Sequence, residues 1–347
     1  MTAVFDPNAA ASENAGIFGL PFTMEEAKVV VVAIPFAATT SYGGGAERGP
    51  QAIFDASKQV DLFDGETGKP YEVGIAMLET SPMVTKWHDE ARSHAKRVID
   101  CGGIVEGDLE LERSLRSVNE LTGKMCKYVY ETTKSLVARG KWIALIGGDH
   151  STPFGAIEAL AEQNPGMGVL HIDAHADLRV AYEGFTHSHA SIMHNVAALV
   201  PNVARIVQVG IRDYCEQEAD SIASSAGRIT TFFDHELAQD LFNGVPWRTT
   251  VERIVVALPD RVYVSFDIDG LDPALCPHTG TPVPGGLSFQ KASYLVGAVA
   301  RSGRTIVGID VNEVVPGPDG DEWDGNVGAR ILYKLIGWMV RSQQKGN

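Results

Sequence analysis

Gly168 to Asp177, GVLHIDAHAD, sets Asp173, His175 and Asp177 at alternate positions directly after a short apolar run. Such a run reads as a buried strand of a parallel sheet. Successive strand side chains point to opposite faces, so residues two apart share one. If the extended geometry persists past the strand end, two carboxylates and an imidazole converge on one point. Buried, that group needs a compensating cation; solvated, it is simply a strand end with exposed acids. Two further stretches bear on the choice. Gly147-Gly148-Asp149-His150-Ser151 puts an imidazole after another apolar strand, with glycines that allow close backbone approach. Ser265-Phe266-Asp267-Ile268-Asp269-Gly270-Leu271-Asp272-Pro273 sets Asp267 and Asp269 two apart at a third strand end, while Asp272 before Pro273 reads as a turn residue.

Together the three stretches offer two imidazoles, His150 and His175, and four carboxylates, Asp173, Asp177, Asp267 and Asp269. Mixed imidazole and carboxylate donors suit Mn(II), Ni(II), Co(II) or Fe(II) better than a structural zinc site, which favours thiolate. Six donors exceed what one open catalytic ion needs. With bridging carboxylates they suit two ions about 3.5 Å apart, and four carboxylates balance two dications.

These stretches need strands to deliver them. Val29 to Ile34 is a β-branched run that ends at Pro35, followed by the loop Ser41-Tyr42-Gly43-Gly44-Gly45 and a helix opened by Gly49-Pro50. No Gly-Lys-Ser/Thr follows the glycines, so a phosphate-binding loop is disfavoured and a substrate loop is expected. Further strands are expected near Val73 to Met77, Gly103 to Glu106, Trp142 to Ile146, 168–173, Arg205 to Val209, Ile229 to Phe233, Arg261 to Phe266 and Thr305 to Asp310. Helices are expected over Pro153 to Gln163, Ser191 to Ala198, Cys215 to Ser224, 247–257, Gln290 to Arg301 and Val327 to Arg341. Strands alternating with helices predict βαβ units and a mostly parallel sheet covered on both faces. In such folds the active site lies beyond the carboxyl ends of the strands. The chain divides into an N-terminal extension, 1–28, and a single catalytic domain, 29–347.

At 347 residues, with 44% hydrophobic and 21% charged residues, the chain can bury a substantial core. A net charge of -15 argues against nucleic acid and anionic membranes as partners. The longest apolar run, near Val29 to Phe36, is too short to span a bilayer. No Lys or Arg precedes Lys28 and no continuous apolar segment opens the chain, so no secretory signal is expected. Four dispersed cysteines without CxxC pairing read as reduced thiols, and a cytoplasmic protein is expected.

The stretches GGDHS, DAHAD and SFDIDGLDP, in this order, resemble the three metal-binding motifs of the ureohydrolase (arginase–agmatinase) family. The resemblance runs from Ala33 to about Tyr333 and includes GGGAERGP near residue 43 and GIDVNEVVPG near residue 308. It implies a three-layer α/β/α arginase-like fold and two divalent ions, Ni(II) or Mn(II). His150, Asp173, Asp177 and Asp267 would hold one ion, and His175, Asp173, Asp267 and Asp269 the other, with Asp173 and Asp267 shared. It also implies that Glu313 pairs with a substrate guanidinium and that His189, in Ser188-His189-Ala190, relays protons; Ala190 stands where the family has Gly. The implied reaction is attack of a hydroxide shared by the ions on the guanidinium carbon, with Asp177 carrying its proton to the departing nitrogen. Trimers or hexamers, with or without a homologous subunit, go with the family.

Leu178-Arg179-Val180-Ala181-Tyr182-Glu183 departs from the arginase pattern and makes arginine a poor substrate candidate. HADLR, AYEGF, TGTPVPGG and EWDGNVGAR resemble agmatinase-like bacterial proteins that include guanidine hydrolases. The expected substrate is a small cationic guanidino compound: guanidine, a short alkylguanidine or a biguanide. Packing is the default role for Tyr182, Phe185 and Trp323; alternatively they narrow the pocket and stack on a small cation. Agmatine is the competitor. Arg179 reads either as a site for a substrate carboxylate, as in formimidoylglutamases, or as a structural ion pair with Glu183. A single-zinc deacetylase of related fold is disfavoured by the six donors, and a non-catalytic subunit by retention of Glu313 and His189.

Overall fold

The computed structural model describes residues 5–12 and 14–344. Met1 to Val4 and Glu13 of the expected extension, and Lys345 to Asn347, lie outside the described residues. In chain order the elements are β1 (Val29–Ile34), α1 (Gly49–Ser57), β2 (Ile75–Leu78), α2 (Pro82–Ile99), α3 (Leu109–Ala138), β3 (Trp142–Gly147), α4 (Phe154–Gln163), β4 (Met167–Ile172), α5 (Ile192–Leu199), β5 (Val203–Ile211), α6 (Glu216–Ser224), β6 (Ile229–Phe233), α7 (Asp234–Phe242), α8 (Trp247–Ala257), β7 (Arg261–Asp267), α9 (Phe289–Arg301), β8 (Thr305–Asn312) and α10 (Trp323–Gln344).

The strands form one sheet in the order β2-β1-β3-β8-β7-β4-β5-β6, and every pairing is parallel. Parallel strands buried on both faces read as near-continuous apolar runs, and β1 is the clearest case. Its Val29 and Val31 join a core that includes Ile53 of α1, Leu295 of α9 and Leu332 of α10. Val30, Val32 and Ile34 face the opposite way, into a core with Val84 of α2, Met125 of α3 and Ile157 of α4. Two helical layers on one sheet make an α/β/α sandwich, the expected fold class.

Sequence and structure part between α2 and α3. Gly103 to Glu106 is not a strand but the turn joining these helices. Gly102 and Gly103 both lie at positive φ (64° and 78°), a conformation that ends a helix and cannot open a strand. β2 starts two residues later than expected, α10 begins at Trp323 rather than Val327, and α7 was not anticipated.

The segment before β1 lies on the body. The Phe18 ring lies 4.8 Å from that of Tyr333 of α10 at a 58° tilt, and the Phe18 N–H donates to Ser57 Oγ at 2.9 Å. No helix among the described residues is long and apolar enough to cross a membrane.

Candidate metal centre

β3, β8, β7 and β4 are consecutive in the sheet, and their carboxyl ends carry all the residues singled out for metal binding. His150 follows β3, Glu313 follows β8, Asp267 ends β7, and Asp173 follows β4. The backbones meet closely there: a Cβ on Gly270 would lie 2.7 Å from the Asp173 nitrogen. All six expected donors except His175 are buried, and His175 is partly so.

Their atoms converge on two points. His150 Nδ1 lies 3.0 Å from Asp173 Oδ2, 3.1 Å from Asp267 Oδ2 and 3.5 Å from Asp177 Oδ2. His175 Nδ1 lies 3.1 Å from Asp269 Oδ2 and 3.5 Å from Asp173 Oδ1. Asp173 thus presents one oxygen to each histidine, which is the arrangement of a bridging carboxylate. Asp267 contributes Oδ2 to the His150 group, while its Oδ1 accepts the Asp269 N–H at 2.9 Å.

Hydrogen bonds behind the donors fix which nitrogen faces inward. Ser265 Oγ donates to Asp310 Oδ1 at 3.1 Å, so its oxygen is left to accept from His150 Nε2 at 2.8 Å. That assigns the His150 proton to Nε2 and aims the Nδ1 lone pair at three carboxylate oxygens. Four electron-rich atoms in van der Waals contact need a cation between them. The same demand shows in the electrostatics of the cluster. Burial by itself would lower the His150 pKa, yet Asp173 and Asp267 raise it well above the ordinary value. His175, despite burial, is pushed up to about 12 by Asp269 and Asp173. Burial and the neighbouring Asp173 raise Asp177, and burial with Asp269 and Asp173 raises Asp267. Chemistry and geometry of the donor set therefore fit two divalent ions sharing Asp173.

A profile of the Arginase family matches residues 27–337. The N(1)-aminopropylagmatine ureohydrolase of Thermus thermophilus is 35% identical over 315 residues, 90% of each chain. The chain belongs to the arginase family. It is by that membership a metal-dependent hydrolase of the ureohydrolase type, acting on linear amidines. The agmatinase of Bacillus subtilis is 28% identical over 90% of this chain and 92% of its own. Among solved structures, the agmatine ureohydrolase of Thermoplasma volcanium superposes with a TM-score of 0.72 over 94% of each chain. At 22% identity that likeness bears on fold alone.

The arginase-like site has supporting residues that motif spacing did not bring out. His171 sits on the same strand face as Asp173, with Nε2 2.8 Å from Asp173 Oδ2. Gln208 Nε2 donates to His171 Nδ1 at 3.0 Å and to the Ala176 carbonyl at 2.7 Å, while Gln208 Oε1 accepts from Thr231. His171 therefore carries its proton on Nε2 and donates to Asp173 rather than offering a lone pair to an ion. The missed signal was the two-residue period read backwards. His171 precedes Asp173 by two, Ser265 precedes Asp267 by two, and Asp310 precedes Asn312 by two. Polar residues repeating inside otherwise apolar central strands mark this inward face.

The other expected residues lie as follows. Glu313 is buried at φ +62°, and its Oε1 accepts the His150 N–H at 2.9 Å. Burial and the nearby Asp149 push its carboxyl up to about 8. His189 Nδ1 lies 3.5 Å from Thr39 Oγ1, which also reaches Asp149 Oδ2 at 3.4 Å. Burial, reinforced by His175, lowers the imidazole to about 4, so it is neutral near pH 7. Tyr182 stands edge-on to His189 at 6.1 Å, and the Arg179 guanidinium lies 5.0 Å above the Tyr182 ring. Arg179 pairs not with Glu183 but with Glu218 of α6, Nε to Oε2 3.8 Å. Glu218 is held for this by the Leu178 and Cys215 N–H groups, whereas Glu183 sits in a left-handed turn at φ +52°. Phe185 is fully buried with Ala95, Val98 and Val118, so its contacts are those of packing. Trp323 is half exposed at the start of α10, and its Nε1 donates to the Ala274 carbonyl at 3.1 Å.

Proposed function

We propose that this arginase-family enzyme hydrolyses a small, singly charged guanidinium compound to urea and ammonia or an amine. Free guanidine or a short alkylguanidine fits best, and a biguanide is a further candidate. The observation that carries the reading is the Arg179–Tyr182–His189 row, with the guanidinium over the Tyr182 ring and that ring edge-on to His189. It sets the Arg179 cation, which Glu218 offsets only in part at 3.8 Å, near the proton-relaying histidine, where a second ammonium on a longer substrate would meet like charge. Two Mn(II) or Ni(II) ions held by His150, Asp173, His175, Asp177, Asp267 and Asp269 would supply an acidified water and polarise the scissile carbon's surroundings. Glu313 would pair with the guanidinium, whose positive charge favours the carboxylate over the neutral form that burial promotes. Asp177 would take the proton shed by the attacking water and return it to the departing nitrogen. His189 exchanges protons between that site and solvent.

The relatives' names favour a second reading, hydrolysis of agmatine or N(1)-aminopropylagmatine. A guanidino acid bound through Arg179 has less support, because Glu218 already partners that guanidinium. A panel decides between them: urea release from guanidine, methylguanidine, agmatine, N(1)-aminopropylagmatine, guanidinobutyrate and arginine, with Mn(II) or Ni(II) supplied. The proposal expects kcat/KM for guanidine or methylguanidine to exceed that for agmatine by about tenfold or more, and Arg179→Ala to narrow the gap. A preference for either polyamine compound overturns the substrate assignment, and no urea from any compound sinks the reading altogether. A homo-oligomer, measured by light scattering, and a cytoplasmic location belong to the same proposal; the four free thiols are in keeping with the latter.

A further inference from the structure

Arg212 lies just past the end of β5, and none of the chemistry above uses it. All five hydrogen bonds of its guanidinium go to main-chain carbonyls. Nη2 reaches Asp269 O at 2.7 Å, Val283 O at 3.0 Å and Leu271 O at 3.2 Å. Nη1 donates to Gly210 O at 3.0 Å and Nε to Val283 O at 3.2 Å. The main chain here is tied the other way. The N–H groups of Arg212 and Asp213 both donate to Ala174 O, at 2.8 and 3.0 Å, and His175 forms a parallel bridge to Asp213. Ala174 stands between Asp173 and His175. The main chain of Arg212 and Asp213 thus holds the residue between Asp173 and His175, and the Arg212 side chain ties that segment to the backbone of Asp269. His150 and Asp177, on the other side, have no bond to it.

We infer that Arg212 is the positioning residue of the second ion, the one held by Asp173, His175 and Asp269. A guanidinium suits the task because its planar fork can hold several carbonyls at fixed angles. Bonded to carbonyls among the described residues, it leaves the carboxylate oxygens free for metal while adding a positive charge beside an acid-rich cluster. Groups that orient ligands typically alter metal affinity about 10–100-fold when removed. Here the loss should fall on one ion of the two.

The inference rests on the two-ion reading, and the test separates them. Wild type, Arg212→Met, Arg212→Lys and Arg228→Met are stripped with chelator, titrated with Mn(II) and assayed for bound metal per chain by mass spectrometry. Arg228 is a matched control. It bonds three carbonyls, Ala197, Val200 and Val203, but stands before β6, at the amino ends of the strands and away from the donors. Wild type and Arg228→Met should bind two ions. Arg212→Met should keep one tight ion and bind the other at least tenfold more weakly, and Arg212→Lys should show the same selective loss to a smaller extent. If Arg212→Met does not fold, as the melting temperature of the metal-free protein will show, the Lys variant carries the test. Two affinities within twofold of wild type in the Arg212 variants, equal weakening of both ions, or the same loss in Arg228→Met would overturn it. Fewer than two ions on wild type would remove the two-ion reading beneath it, and the inference with it.

Discussion

At the scale of single residues, the site is defined by which atom of each side chain is left free. His150 offers Nδ1 because Ser265 takes Nε2, and His171 donates to Asp173 because Gln208 takes its Nδ1. The two histidines lie 5.2 Å apart yet have opposite roles. Ser265→Ala should leave the fold intact and weaken metal binding by about 10–100-fold, with turnover recovered at high metal concentration; unaltered metal affinity would show that Ser265 does not orient His150. Asp177→Ala and Asp267→Ala each remove a donor and should abolish metal occupancy and turnover together, as read by metal content and urea release. An undiminished rate in either variant would refute the assignment. Asp177 and Glu313 both occupy left-handed backbone, φ +53° and +62°, a strained conformation that recurs where function over-determines the chain.

At the scale of elements, four adjacent strand ends do the positioning, and helices must close tightly to hold them. α4 crosses α3 at Gly155, where a Cβ would lie 2.2 Å from the Cys126 carbonyl oxygen and 2.6 Å from the Tyr130 nitrogen. Neither atom can give way without moving a helix. Gly155→Ala should therefore destabilise the protein by about 1–3 kcal/mol or more in denaturant unfolding; a change under about 0.5 kcal/mol would mean the helices part freely. The strands were legible because each is an apolar run ending in chemistry: Val29 to Ile34 needs no context to be read. The donors were legible because period two survives the strand end. What escaped was decided elsewhere in the chain. Gly103 to Glu106 has a strand's β-branched pair but glycines that fix a turn. Arg179 was assigned a neighbour in sequence, Glu183, when its partner is Glu218 on α6, a contact set by tertiary packing. Phe185 keeps the packing role that is an aromatic's default, enclosed by α2 and α3 rather than lining a pocket.

At the scale of the whole molecule, the last helix staples the chain's early segments to its end. Lys334 of α10 reaches Asp64 Oδ2 at 2.5 Å and Glu66 Oε2 at 2.9 Å, while Tyr333 packs on Phe18. Burial pushes the Asp64 carboxyl up, but Lys334, with the Thr67 and Glu66 N–H groups, outweighs it and holds the group below its ordinary value. A lowered carboxylate contributes stability that is complete above its unfolded pKa and is lost as pH falls through the folded one. Asp64→Asn should thus destabilise by roughly 1–2 kcal/mol at pH 7 and by progressively less below about pH 4. An equal difference at pH 7 and pH 3 would contradict that linkage. The central claim, a pair of ions on converging strand ends that hydrolyses a small guanidinium, is tested most directly by one titration. Metal-stripped protein receives Mn(II) in steps while urea released from guanidine is measured against ions bound per chain. The account predicts no urea from the stripped protein and a rate that reaches its plateau at two ions per chain. Urea release without metal, or a plateau at one ion, would contradict it.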